Sequence, residues 1–354
     1  MTPEQLAAYL GAGVSYGASD IHFKVGAPPG YRVHGALAHL KADNLTEADI
    51  LELCAHIVQA PEKLAELEEH DASLLVNGVG RFRVHIYRQR GSLAVVLRLI
   101  PITVPTLDEL GLPPVLKDIS GYERGLALIT GPTGSGKSST LAAIVDHINR
   151  NRRAHVLTIE DPIEFVHHDV QGSISQREVG ADTRSYAAAM RTAIRQDPDV
   201  IVLGELGDAA TLDQALKAAE TGHMVYAAVH ATNALKTVAH LVGLVPAADQ
   251  PMIRYRLADN LRAIVSQRLV RRADGAGRVA AAEILVVTLA AQECIASAER
   301  VGGLKQIIER TRDQGMQSFD QHLAELYKAK KIRIDTAKEH ASNPSDFERA
   351  LMFE

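Results

Sequence analysis

The chemistry in this chain centres on Gly131-Pro132-Thr133-Gly134-Ser135-Gly136-Lys137-Ser138. The spacing fits G-x-x-x-x-G-K-[ST], the phosphate-binding P-loop. Its glycines let backbone N–H groups turn toward phosphate oxygens. A helix that starts at the loop adds unpaired N–H groups and partial positive charge. Lys137 would reach the β- and γ-phosphates of a nucleotide, the Ser138 hydroxyl would ligate Mg²⁺, and Ser139 extends the cradle. The expected ligands are ATP and Mg²⁺.

A loop of this kind needs a strand before it and a helix after it. Leu126-Ala127-Leu128-Ile129-Thr130 is short, apolar and strand-like, and Leu141, Ile144, Val145 and Ile148 repeat at helical spacing. Three later strand candidates also end in reactive groups. Val156-Leu157-Thr158-Ile159 runs into Glu160-Asp161-Pro162-Ile163-Glu164, Val200-Ile201-Val202-Leu203-Gly204 into Glu205, and Val225-Tyr226-Ala227-Ala228-Val229 into His230. In a parallel sheet, ligands bind at the carboxyl ends of the strands, so these groups should converge on the loop. Mg²⁺ on a triphosphate leaves few positions for protein oxygens, and Glu205 is assigned to the magnesium side. A second carboxylate must orient and deprotonate the attacking water. Glu164 is the first choice, with Glu160 and Asp161 in support, and His230 is placed to sense the γ-phosphate.

The elements around these groups read as an α/β chain. From about residue 106, strand candidates at 126–130, 155–160, 200–204, 224–229 and 279–287 alternate with helix candidates at 138–150, 184–196, 208–221 and 248–269. Residues from 289 to 354 read as helical and charged, and residues 1–100 as a smaller α+β domain. In that domain a helix is expected around Leu6 to Leu10, with strands from Asp20 and from Tyr31 to His39. Thr46 caps a helix over about 47–59, and a second helix after Pro61 carries Glu66, Glu68 and Glu69. Strands follow at 80–87 and 93–100. Arg81, Arg83 and His85 alternate onto one face, with Arg98 near in sequence. That face is either a solvated sheet surface or an anion-binding one, since the planar fork of Arg suits phosphate. Pro101-Ile102-Thr103-Val104-Pro105 reads as a stiff linker, so the core is expected over 106–288.

Composition narrows the class. A chain of 354 residues with 46% apolar content is long enough for two well-buried cores. It has no run of about 18 apolar residues and no basic-then-apolar leader, so a protein neither secreted nor membrane-spanning is expected. Cys54 and Cys294 do not make a disulfide framework or a four-cysteine zinc site. Net charge −5, no Trp and 4% aromatics count against nucleic-acid binding.

The motifs together resemble the secretion-superfamily ATPases, and within them the type IV pilus retraction ATPases (PilT-like). They are Gly-Ala-Ser-Asp-Ile-His at 17–22, the P-loop at 131–138, Thr-Ile-Glu-Asp-Pro-Ile-Glu-Phe at 158–165, Gln-Arg-Glu-Val-Gly at 176–180, Asp-Pro-Asp-Val-Ile at 197–201 and Ala-Glu-Thr-Gly-His at 219–223. The resemblance implies a RecA-like P-loop core preceded by a PAS-like domain, with ATP held between the two. It implies a homohexamer on the cytoplasmic side of the inner membrane, working on a platform protein of the pilus. It makes 131–138 the Walker A loop, Glu164 the catalytic glutamate, Glu205 the Walker B residue and His223 to His230 the His box, with Arg83 and Arg98 as arginine fingers. Three stretches depart from the family pattern: Leu206-Gly207-Asp208 for Met-Arg-Asp, His230-Ala231-Thr232 for His-Thr-Asn or His-Thr-Thr, and Ala-Ala-Gln-Glu-Cys-Ile at 290–295 for Ala-Ile-Arg-Asn-Leu-Ile. They keep open an accessory (PilU-like) or regulatory ATPase, with a paralogous pilus ATPase as a partner. A nucleic-acid translocase on the same core is a more distant alternative.

Overall fold

The chain is described here from a computed structural model that covers all residues except 34, 59–61, 63, 101–102, 276 and 354, together with the side chains at 350, 352 and 353. It divides into two compact units: Met1–Thr103 with Pro162–Val166, and Val104–Asp161 with His167–Glu354.

The first unit is built on an antiparallel sheet of β1 (Ala18–Lys24), β2 (Gly30–Val33), β3 (Ala36–His39), β4 (Glu69–Val76), β5 (Gly80–Gln89) and β6 (Ser92–Ile100). The strand order is β3-β2-β1-β6-β5-β4. Helices α1 (Pro3–Ser15) and α2 (Glu47–Ile57) bury Leu6, Leu10, Ile50 and Leu53 in one cluster with Ile21, Phe23, Phe82, Val84 and Ile86 of the strands. Alternation decides this sheet: Phe82, Val84 and Ile86 point into the core while Arg83 points out. Thr46 caps α2 through a reciprocal box with Asp49, as its position predicts. Two expectations change. Tyr31 to His39 forms two paired strands rather than one. The helix expected after Pro61 falls partly outside the described residues, and Leu64 to Glu66 form a turn before Glu69 opens β4.

The second unit holds a seven-stranded sheet of β7 (Gly125–Thr130), β8 (His155–Glu160), β9 (Ser173–Glu178), β10 (Val200–Leu203), β11 (Met224–Val229), β12 (Leu261–Arg271) and β13 (Arg278–Val286). The order is β13-β12-β7-β11-β10-β8-β9, parallel except for the β12–β13 pair. Helices α3 (Val115–Ser120) and α4 (Lys137–Asn151) pack on one face, through Leu116, Ile119, Leu141 and Ile144. Helices α5 (Tyr186–Ala193), α6 (Ala209–Glu220), α7 (Ala234–Gly243), α8 (Gln250–Asn260), α9 (Leu289–Ala296) and α10 (Leu304–Arg310) contribute to the core on the other. Helices α11 (Phe319–Lys328), α12 (Ile334–His340) and α13 (Pro344–Phe353) close a smaller cluster around Val270, Val279 and Ala281.

One long helix expected at 248–269 is corrected. The helix α8 stops at Asn260 and the strand β12 begins at Leu261. Between β7 and β13 the residues Ala263 to Gln267 are buried without interruption. A strand covered on both faces loses the alternation that marks a half-buried one, and its apolar run reads like a buried helix. Strand β9 and helix α7 were not expected. The former is a polar edge strand, and the latter follows Asn233, whose side chain caps it by accepting from Lys236 N.

Candidate functional site

The P-loop leaves the carboxyl end of β7 and enters α4 at Lys137. Backbone geometry explains two of its glycines. Gly136 is left-handed at φ +92° and opens α4 with no side-chain cap. The first-turn N–H groups of that helix are therefore left to an external acceptor. Gly131 has φ +155°, and a Cβ there would lie 2.3 Å from Ser135 Oγ and 2.6 Å from the Gln267 carbonyl oxygen. Only a residue without a side chain lets the loop fold this tightly. Pro132, Thr133 and Gly134 are exposed at its tip, and Ser138 and Ser139 follow in the first turn of α4.

Lys137 curls back over the loop. Its Nζ donates to the carbonyls of Gly131 at 2.9 Å and Pro132 at 3.1 Å, and lies 3.4 Å from His230 Nδ1. His230 Nε2 in turn lies 3.9 Å from Glu205 Oε1. The ends of β7, β10 and β11 therefore bring Lys137, Glu205 and His230 together, as parallel pairing of those strands requires. The turn after β10 is pinned on both sides: Gly204 N donates to the Ile159 carbonyl at 2.8 Å and Leu206 N to the Ala228 carbonyl at 2.9 Å. Asp208 caps α6, with its carboxylate accepting from Thr211 N and Oγ1. At the end of β8, Glu160 accepts from Thr158 Oγ1 at 2.6 Å and from Gln176 Nε2 of β9 at 2.9 Å.

These groups fit a magnesium nucleotide. Ser135 Oγ is buried without a hydrogen-bond partner among the described residues, inside a loop whose neighbouring helix start is uncapped. Oxygen donors of the hydroxyl and carboxylate type at Ser138 and Glu205 suit a hard cation better than nitrogen or sulfur would.

The loop also has a backing that sequence reasoning missed. Thr130 Oγ1 donates to Ser266 Oγ at 2.9 Å, and Gln267 Nε2 donates to Thr140 Oγ1 at 2.9 Å, both fully inside the protein. Ser266 holds the residue before the loop and Gln267 the first turn after it. Their only signal was a polar pair inside the apolar run of β12.

Three other expected site residues are placed with the first unit. Glu164, exposed, lies in the stretch Pro162–Val166 that groups there. Arg83 and Arg98 are exposed partners in register on β5 and β6. The row they share also contains Asp20 on β1 and Arg32 on β2. Arg98 Nε donates to Asp20 Oδ1 at 2.7 Å, and Arg32 Nε lies 3.8 Å from Asp20 Oδ2. Burial would raise the Asp20 carboxyl, but hydrogen bonds from Arg98 and Ser19 outweigh it and hold it below the usual carboxylate range. Among the described residues no helix is long and apolar enough to cross a membrane.

The chain matches the family described as type II/IV secretion system protein over residues 4–341. It is 41% identical to the type IV pilus retraction ATPase PilT of Pseudomonas aeruginosa, over 94% of this chain and 96% of that one. It is 38% identical to the type IV pilus ATPase PilU of the same organism, over 94% and 87%. Its fold matches a crystal structure of the pilus retraction motor PilT with bound ADP at a TM-score of 0.88 and 40% identity, covering 97% of this chain and 99% of the other.

Proposed function

We propose, for a chain that belongs to the type II/IV secretion system protein family, that it is a motor ATPase driving type IV pilus retraction. The observation that supports this most directly is the meeting of Lys137, Glu205 and His230 at the ends of parallel strands. In this reading the loop from Gly131 through Ser139 wraps the β- and γ-phosphates of ATP, with Lys137 and backbone N–H groups after Pro132 as the donors. Ser138 and Glu205 hold Mg²⁺, which neutralises charge building up on the phosphate oxygens. Glu164 takes a proton from the attacking water. His230, between Lys137 and Glu205, registers whether the γ-phosphate is present. Arg83 and Arg98 offer guanidinium groups to the same phosphates. The working form is a homohexamer at the cytoplasmic face of the inner membrane, engaging a platform protein of the pilus.

The test has two arms. Purified protein should hydrolyse ATP only with Mg²⁺, and Lys137→Ala should lower turnover about a hundredfold or more while leaving the fold intact. Expressed in a strain lacking its retraction ATPase, the wild-type chain should restore twitching. Hydrolysis without restored twitching would reject the motor role and keep the ATPase.

The accessory reading rests on the altered sequence at residues 290–295, which form part of α9. An accessory ATPase would fail to restore twitching in the strain lacking its retraction ATPase and would restore it only where the accessory ATPase is missing and a separate retraction ATPase is kept.

A further inference from the structure

We propose that Glu283 is a positioning residue for His230, acting through the start of α7. The proposal rests on the reading in which His230 takes part in ATP turnover. His230 follows β11 directly, and only Ala231, Thr232 and Asn233 separate it from α7. The near end of this turn is fixed by the sheet, because Val229 pairs with Thr130. The far end is fixed by Glu283, whose Oε1 accepts from Ala234 N at 2.8 Å. Ala234 is fully buried, and the first N–H of a helix has no partner within the helix. Without Glu283 that N–H is left unpaired in the interior, and the turn must shift to reach another acceptor.

The sheet register ties this contact to the nucleotide loop. Glu283 on β13 stands opposite Ser266 on β12, Ser266 opposite Thr130 on β7, and Thr130 opposite Val229 on β11. One row across four strands thus holds the residue before the P-loop, the residue before His230 and the carboxylate at the far end of the His230 turn. Thr130 Oγ1 donating to Ser266 Oγ stitches its middle. Burial raises the Glu283 carboxyl, with the Ala234 hydrogen bond and the nearby charge of Arg268 acting against it.

The experiment compares kcat, KM for ATP and affinity for a fluorescent ADP analogue in wild type, Glu283→Ala, Glu283→Asp, Glu283→Gln, His230→Ala and the His230→Ala/Glu283→Ala double variant. Asp is too short to reach Ala234 N, whereas Gln keeps an acceptor oxygen at the right distance. Glu283→Ala and Glu283→Asp should lose roughly 10- to 100-fold in kcat, with ADP affinity within about twofold of wild type. Glu283→Gln should rescue turnover. The double variant should be no slower than His230→Ala, because both changes remove one function. If Glu283→Ala does not fold, the Asp and Gln variants carry the comparison. Wild-type kcat in Glu283→Asp, or losses that multiply in the double variant, would overturn the proposal while leaving His230 in place. Wild-type kcat in His230→Ala would overturn the His230 reading and this proposal with it.

Discussion

Arg83 and Arg98 stand directly opposite each other on β5 and β6, and Arg98 has a carboxylate, Asp20, beside it. Asp20 engages Arg98 and leaves the exposed Arg83 guanidinium beside it as the group an incoming anion would meet. Arg83→Ala should therefore lower ATP turnover by about a hundredfold or more without lowering the melting temperature. Unchanged turnover would remove Arg83 from the reaction.

Asp20 carries a pH signature. Its carboxyl is held below its ordinary value in the folded state, so its contribution is complete above the unfolded value near 3.9 and is lost as pH falls through the lower folded value. Thermal unfolding of wild type and Asp20→Asn should differ at pH 7 and converge as pH falls below the ordinary carboxylate range. A gap that persists in acid would assign the effect to something other than this charge.

Glu164→Gln should bind ATP and hydrolyse it about 10²- to 10⁴-fold more slowly, the usual loss for a missing general base. Single-turnover hydrolysis beside equilibrium binding separates the two steps. Wild-type turnover in this variant would hand the base role to another carboxylate, with Glu160 and Asp161 next in sequence.

Gly131→Ala tests the tightness of the loop. The new Cβ would press into Ser135 Oγ and the Gln267 carbonyl, neither of which sits at the end of a long flexible chain. Nucleotide affinity should fall at least tenfold, about 1.4 kcal/mol, as the loop opens. Calorimetric titration with ADP measures it directly.

His322 makes the second unit sensitive to mild acid. Burial, with help from nearby Lys331, pushes its pKa down to about 4. Its Nδ1 accepts from Ala282 N at 2.9 Å. The folded state stays unprotonated there while the unfolded chain takes a proton near pH 6.5, so stability falls as pH drops from 6.5 toward 4, by up to roughly 3 kcal/mol. An asparagine side chain at this position would keep an acceptor without the titration. In His322→Asn, denaturant unfolding should therefore lose part of its slope over this range. His167, also lowered to about 4 by burial, and His22, lowered by burial as well, keep part of that slope.

What could be read from residues alone followed the range of the interactions. The P-loop, the helix after it and the carboxylate at the end of β10 are local patterns, and each appears where spacing predicts. Asp49 capping α2 with Thr46 is local as well. The pairing of Arg83 with Arg98 depends on the register of two strands, and only their alternation was visible beforehand. Gln267 and Glu283 were out of reach for different reasons. β12 is covered on both sides and lost its periodicity, so the residues around Gln267 read as a helix. Glu283 meets a backbone amide 49 residues away, which no local pattern encodes.

The backing of the P-loop also sets an order of events during synthesis. Ser266 lies 136 residues after Thr130, and Gln267 lies 127 residues after Thr140. A ribosome therefore delivers the loop long before the strand that braces it. Until β12 emerges, one edge of β7 lacks its neighbour and the Thr130 and Thr140 hydroxyls lack their partners. Pairing over such separation is slow and late. A nascent chain stalled before Leu261 carries the whole phosphate motif without the two hydrogen bonds that brace it.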